Sequence, residues 1–104
     1  MFAVDIIEEA GFDTVEAACA EDAIDILNAR HDNIRIVFTD IHMSGSLDGL
    51  KLALAIRERW PPIDLIITSG QTTPGDADIP TRGRFIAKPY APQQLVSALR
   101  SFAD

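Results

Sequence analysis

The apolar residues of this chain change period along its length. Ala3, Ile6, Ile7 and Ala10 recur at i, i+3, i+4 and i+7, which predicts an amphipathic helix that Gly11 stops. Thr14 to Ala18, with Val15 and Ala17 on one face, predicts a short strand; Ala20, Ala23, Ile24 and Leu27 then form a second helical stripe. The run Ile34-Arg35-Ile36-Val37-Phe38-Thr39 predicts a strand closed by Asp40. A third helical stripe follows at Leu52, Ala53, Ile56 and Trp60. Pro61-Pro62 must end that helix, because proline lacks the amide hydrogen and clashes with the preceding turn. Leu65 to Thr68 is the next strand. Ser69 to Arg84 holds two prolines and three glycines and predicts a loop. Phe85 to Ala87 is a final strand, and Pro92 opens a last helix striped by Leu95, Ala98, Leu99 and Phe102.

Strands alternating with helices imply parallel pairing with right-handed crossovers. Ligands in open α/β sheets collect beyond the carboxyl ends of the strands. Asp40, Thr68 and Lys88 each close one apolar run, so the topology delivers a carboxylate, a hydroxyl and an ammonium to one edge. A carboxylate can take a phosphoryl group as an acyl phosphate, and hydroxyl and ammonium donors bind the oxygens of that group. Each residue has a plainer explanation. Asp40 caps a turn, Thr68 is an ordinary β-branched strand residue, and Lys88 is a solvated edge charge. Their common register favours the chemical reading.

In order, Asp40-Ile41-His42-Met43, Asp48-Gly49, Thr68 and Lys88-Pro89-Tyr90 resemble the receiver domain of bacterial two-component response regulators. The resemblance runs from Met1 to about Phe102. It implies a flavodoxin-like parallel sheet, of strand order 2-1-3-4-5, with helices on both faces. It implies Asp40 as phosphoacceptor for a histidine kinase or phosphotransfer protein, and Thr68 as the hydroxyl that follows the phosphoryl group. It further implies Lys88 as charge partner, Phe85 as an aromatic switch position, and a cis Lys88-Pro89 bond. His42 matches the position whose backbone carbonyl ligates Mg²⁺ together with Asp40. Such a domain is a phosphoacceptor that assists its own phosphorylation and dephosphorylation rather than an enzyme acting on a separate substrate.

Receiver domains usually open with a buried apolar strand ending in acidic residues that hold Mg²⁺. This chain starts instead at the first helix, so the resemblance implies a receiver lacking its central strand and an incomplete metal site. Asp5, Glu8 and Glu9 fall within or beside a helical stripe and do not replace those acids. Mg²⁺ wants near-octahedral oxygen ligation, so Asp40 and the His42 carbonyl alone bind it weakly or not at all. Ser44 stands where a proline commonly follows Met43, and Asp48-Gly49 comes one residue late, which predicts a looser loop. A sheet lacking its central strand exposes an edge, and exposed edges attract other chains, so a homodimer or a rearranged sheet is an expectation.

Composition narrows the picture further. At 104 residues and 47% hydrophobic, the chain fits one domain, residues 1–104. Nine basic against sixteen acidic residues, a net charge of −7, argue against direct nucleic-acid or anionic-membrane binding. A single cysteine, Cys19, forms no internal disulfide, and no apolar stretch reaches membrane-span length, so a cytoplasmic protein is expected. His31 and His42 lack zinc-ligand spacing. Trp60 reads as helix-end packing, and Tyr90 as packing or the flank of a partner surface. No glycine-rich phosphate loop follows any strand, which disfavours a nucleotide-binding enzyme. Two functions remain: a phosphoacceptor signalling domain that switches an effector domain or partner protein, or a phosphorylation-independent binding module.

Overall fold

The computed structural model describes residues 3–41, 48–70 and 82–103. Helix α1 spans Ala3–Glu9, α2 Ala20–Arg30, strand β1 Ile36–Asp40, α3 Gly49–Arg59, β2 Asp64–Ser69, β3 Gly83–Ala87 and α4 Pro92–Ala103. A 3-10 turn at His31–Asn33 links α2 to β1. The strands form a parallel sheet in the order β1-β2-β3.

Local chemistry sets the helix ends. Gly11 takes a φ of 100°, and its N–H bonds the Glu8 carbonyl at 3.0 Å, closing α1 in the left-handed conformation that glycine adopts freely. The Asp48 carboxylate accepts from the Lys51 N–H at 2.9 Å and caps α3. At the far end of α3 the Trp60 N–H donates to Ile56 at 2.7 Å, ahead of the proline pair. Gln94 reaches back to the Ala91 N–H at 2.7 Å while its own N–H donates to Ala91, a reciprocal bracket around the start of α4. Trp60 stacks on His31 with ring centroids 6.0 Å apart, so both serve packing where α2 meets the end of α3.

Two apolar layers sandwich the sheet. On one face, Leu65 and Ile67 of β2 pack with Leu27 of α2 and Leu52, Ala53 and Ile56 of α3. On the other, Ile66 and Ile86 pack with Ile6 of α1 and Leu95 and Leu99 of α4. Every residue of β2 is buried, as expected for a strand paired on both edges and covered on both faces. At the amino-terminal edge of the sheet, Arg82 donates to Asp64 at 2.8 Å, and Arg57 donates to the carbonyls of Pro61 and Ile63. Burial, reinforced by the charge of Arg82, holds the Arg57 guanidinium below its ordinary pKa, with Asp64 acting against them.

Two expectations need correction. Thr14 to Ala18 is not a strand: the segment forms no ladder, and Val15 is 49% exposed. A strand needs a partner for its backbone groups, and among the described residues none lies beside it. The predicted loop from Ser69 to Arg84 is shorter at both ends, because Ser69 closes β2 and Gly83 and Arg84 open β3. Parallel pairing on β2 extends the last strand two residues beyond its apolar run. The loop expected around Ser44 falls outside the described residues, as does most of the predicted 69–84 loop.

Gly49 marks the tightest join between helix and sheet. A Cβ there would lie 2.0 Å from the Asp40 carbonyl oxygen and 2.9 Å from the Ile41 Cα, both backbone atoms that cannot swing aside. Gly49→Ala should therefore destabilise the fold by about 1–3 kcal/mol. A thermal melt followed by circular dichroism should show a midpoint lower by at least about 5 °C. An unchanged midpoint would mean that α3 does not start against β1.

Candidate functional site

The carboxyl ends of the three strands meet at one edge. Asp40 is the last residue of β1 and pairs in register with Thr68, which pairs in turn with Ile86 of β3. The Ile41 N–H donates to the Thr68 carbonyl at 2.9 Å, and the Lys88 N–H donates to the Ser69 carbonyl at 3.0 Å. These bonds carry the ladder just past Asp40 and Ala87 and fix where each chain turns away.

Lys88 lies beyond the end of β3, joined to Pro89 by a cis peptide bond. Its ammonium donates to a carboxylate oxygen of Asp40. Both side chains remain partly exposed, 30% for Asp40 and 42% for Lys88, so water screens the pair and its contribution to stability is at most about 1 kcal/mol. Thr68 is buried beside them, and its hydroxyl donates to the Ile86 carbonyl at 2.7 Å. The structure thus brings Asp40 and Lys88 into contact and sets Thr68 next to Asp40 across the ladder, with the hydroxyl engaged by the neighbouring strand. Phe85 sits elsewhere: it packs half-buried against the cluster under α2 and α3. His42 lies outside the described residues.

Tyr90 is more closely tied to this edge than its sequence position suggested. Its ring meets Phe38 edge-on, with centroids 6.2 Å apart. A cavity of about 510 Å³ opens beside Lys88 and is lined by Ile6, Gly70, Pro89, Tyr90 and Pro92. Among the described residues no three histidine, cysteine, aspartate or glutamate side chains come together, and an ammonium already contacts Asp40. That donor set does not fit a divalent cation, which needs several convergent oxygens.

Burial pushes the Tyr90 phenol above its ordinary pKa of 10.0; the Asp40 carboxylate acts in the same direction and Lys88 against it. Tyr90 is the one tyrosine in the chain, so an absorbance titration of phenolate reads it alone. The midpoint should lie above 10.0, move further up in Lys88→Met and come down in Asp40→Asn. Because the folded state favours the neutral phenol, its contribution to stability is complete below about pH 10 and is lost as pH rises through the folded value. A midpoint insensitive to both substitutions would separate Tyr90 from the charged pair.

The chain is similar to known proteins in sequence and in fold. The family model described as the response regulator receiver domain matches residues 1–100. The hydrogenase transcriptional regulatory protein HoxA of Cupriavidus necator is 34% identical over 75 residues, which make up 68% of this chain and 15% of that protein. The chain therefore spans a small part of that relative. The receiver domain of NtrX from Brucella abortus has a TM-score of 0.80 at 27% identity, over 95% of this chain and 84% of that one. A response regulator receiver protein from Sinorhizobium medicae has a TM-score of 0.86 at 24% identity, over 95% and 80%, a likeness of fold. With its parallel sheet layered by helices and its match across nearly the whole length, the chain belongs to the response regulator receiver domain family of two-component signalling.

Proposed function

We propose that this chain is a phosphoacceptor unit of a two-component phosphorelay, with Asp40 taking a phosphoryl group from a histidine kinase or phosphotransfer protein. The observation that carries the reading is the contact between the Lys88 ammonium and the Asp40 carboxylate, at the strand edge where Thr68 stands in register. In the transfer, an Asp40 carboxylate oxygen attacks phosphorus in line, the phosphorus–nitrogen bond to the donor histidine breaks, and the imidazole leaves with a proton. Lys88 offsets the charge of the transferring group. The Thr68 hydroxyl exchanges its bond to the Ile86 carbonyl for one to a phosphoryl oxygen.

That exchange is the basis of a switch. Releasing the Ile86 carbonyl frees one tie between β2 and β3 in the interior, and Phe85, one residue earlier, lies in the packed layer that must adjust. The surface around β3 and α4 then changes, and a partner protein or linked effector domain reads it. One similar protein points the same way: HoxA is a transcriptional regulatory protein, and this chain matches a small part of it. We read residues 1–104 as one receiver-like unit acting in the cytoplasm. Its charge of −7 makes any contact with nucleic acid a task for another domain.

Phosphorylation of this chain by itself should be impaired. Transfer turns the Asp40 carboxylate into an acyl phosphate of greater negative charge, and among the described residues the Lys88 ammonium is the cation in contact with it. The 104-residue chain, incubated with Mg²⁺ and a small acyl-phosphate donor, should gain little phosphate of the acid-stable, base-labile kind, and Asp40→Asn should change that little. Adding an N-terminal apolar strand that ends in two acidic residues should restore labelling, which Asp40→Asn should then abolish. Rapid, stoichiometric labelling of the chain as given would refute the impairment. Failure of the extended form to label at all would favour the phosphorylation-independent binding module, in which the Asp40–Lys88 contact simply holds the surface in one state.

A further inference from the structure

The basic residues divide between the two ends of the sheet. Where helices connect parallel strands, helix ends and strand starts share one edge. Arg30 lies in the last turn of α2, Arg57 and Arg59 in the last turn of α3, Arg35 just before β1 and Arg82 just before β3, so these stand at the amino-terminal edge. Arg84, near the start of β3, and Arg100, in the last turn of α4, complete the arginines of the chain at the same edge, and Arg84 lies over the Phe102 ring on the α4 side. Both lysines, Lys51 and Lys88, lie at the carboxyl edge instead. Arg30, Arg35, Arg59 and Arg82 are exposed, and among the described residues the first three form no ion pair. Arg82 is near enough to Arg57 for the two charges to oppose each other. Between the ends of α2 and α3, Trp60 stacks on His31, whose side chain is 44% exposed. Cations in the last turn of a helix offset its dipole, which explains Arg30, Arg57 and Arg59. It does not explain Arg35 and Arg82, which precede strands, nor why every basic residue at this edge is arginine.

We propose that this edge, with Arg30, Arg35, Arg59 and Arg82 around the Trp60–His31 pair, is a docking surface for an acidic polypeptide segment of a partner protein. Guanidinium groups present planar forks that match carboxylates, and arginine and tryptophan are the residue types that carry much of the energy at protein interfaces. Arg57 is held in place by the carbonyls of Pro61 and Ile63 and adds its charge beside Arg82. Charge complementarity also separates this occupant from nucleic acid, whose phosphates bind the same forks. Asp32 and Glu58 are interspersed among the arginines in the sequence of this edge, and Asp64 already accepts from Arg82. A nucleic-acid backbone carries a charge at every step and meets those carboxylates as well as the net charge of −7 of the whole chain. A peptide sets neutral residues opposite them and acidic residues opposite the arginines. The surface lies at the end of the sheet away from Asp40, so it stands whether or not Asp40 accepts a phosphoryl group.

Trp60 is the one tryptophan of the chain and serves as the reporter. Titrating the 104-residue chain at low salt with a synthetic peptide of alternating glutamate and alanine should change the tryptophan fluorescence along a saturating curve. The same peptide with glutamine in place of glutamate should give no such change. Raising the ionic strength from about 0.01 M to about 0.1 M shortens the Debye length from about 30 Å to about 10 Å and should weaken binding about tenfold. Arg30→Gln combined with Arg59→Gln should weaken it about five- to tenfold. Arg84→Gln combined with Arg100→Gln changes the net charge equally on the α4 side and should leave affinity within about twofold. All four side chains are exposed, so neither pair of substitutions opens the core. Should the first pair unfold the chain, the comparison of the glutamate and glutamine peptides on the unsubstituted chain decides alone. The proposal is overturned if the glutamate peptide gives no saturable change at low salt, if the glutamine peptide binds equally, if the two double variants lose affinity equally, or if single-stranded DNA of the same charge binds more tightly than the peptide. The last result assigns the surface to nucleic acid.

Discussion

Everything at the candidate site depends on the parallel ladder through β2. This strand is buried along its whole length, bonded to β1 on one edge and β3 on the other. Parallel pairing forces the three strands to end on one side of the molecule, and the register aligns Asp40, Thr68 and Ile86 in a row across the sheet. Lys88 follows two residues after Ile86, so its reach to Asp40 is set by backbone bonds before any charge attraction acts. The exposed ion pair is a consequence of that geometry, worth too little to create it.

The layers around the sheet couple the site to the rest of the molecule. Gly49 lets α3 begin directly against the Asp40 carbonyl, and the Gly49 N–H donates to Ile41 at 2.9 Å. Phe38 of β1 touches Tyr90, which shares a cavity wall with Lys88. The Thr68 hydroxyl ties β2 to β3 in the interior. A change of charge at Asp40 thus has short paths to α3, to the start of α4 and to β3, all through bonded or packed contacts. Interiors packed in this way respond by moving between discrete arrangements rather than by gradual deformation.

Among the described residues, β1 is paired on one side alone. On its paired side β1 has a full set of ladder bonds; on the other, Ile36 and Phe38 face a cavity. Residues 14–18 have the alternation of a strand yet lie in no ladder, and Val15 is half exposed. Both features have one cause. Strand conformation is stabilised by a partner's donors and acceptors, and without them a short alternating segment gains too little to offset its ordering.

The sequence by itself determined the four helices and the three apolar strands, because these follow from local periodicity, prolines and caps. It also placed Asp40, Thr68 and Lys88 at or next to strand ends, since a strand end is a local property to within a residue and parallel order follows from alternation. The family resemblance added the meaning of those ends. Tertiary structure alone decided the rest. That Thr14 to Ala18 forms no ladder depends on what lies beside it. That β3 begins at Gly83 depends on β2 offering partners beyond the apolar run. That Tyr90 meets Phe38, and that Arg82 meets Asp64, depends on contacts between residues far apart in the chain. Periodicity reports how a segment suits its own conformation, whereas pairing and packing are settled by the neighbours that the completed fold brings to it.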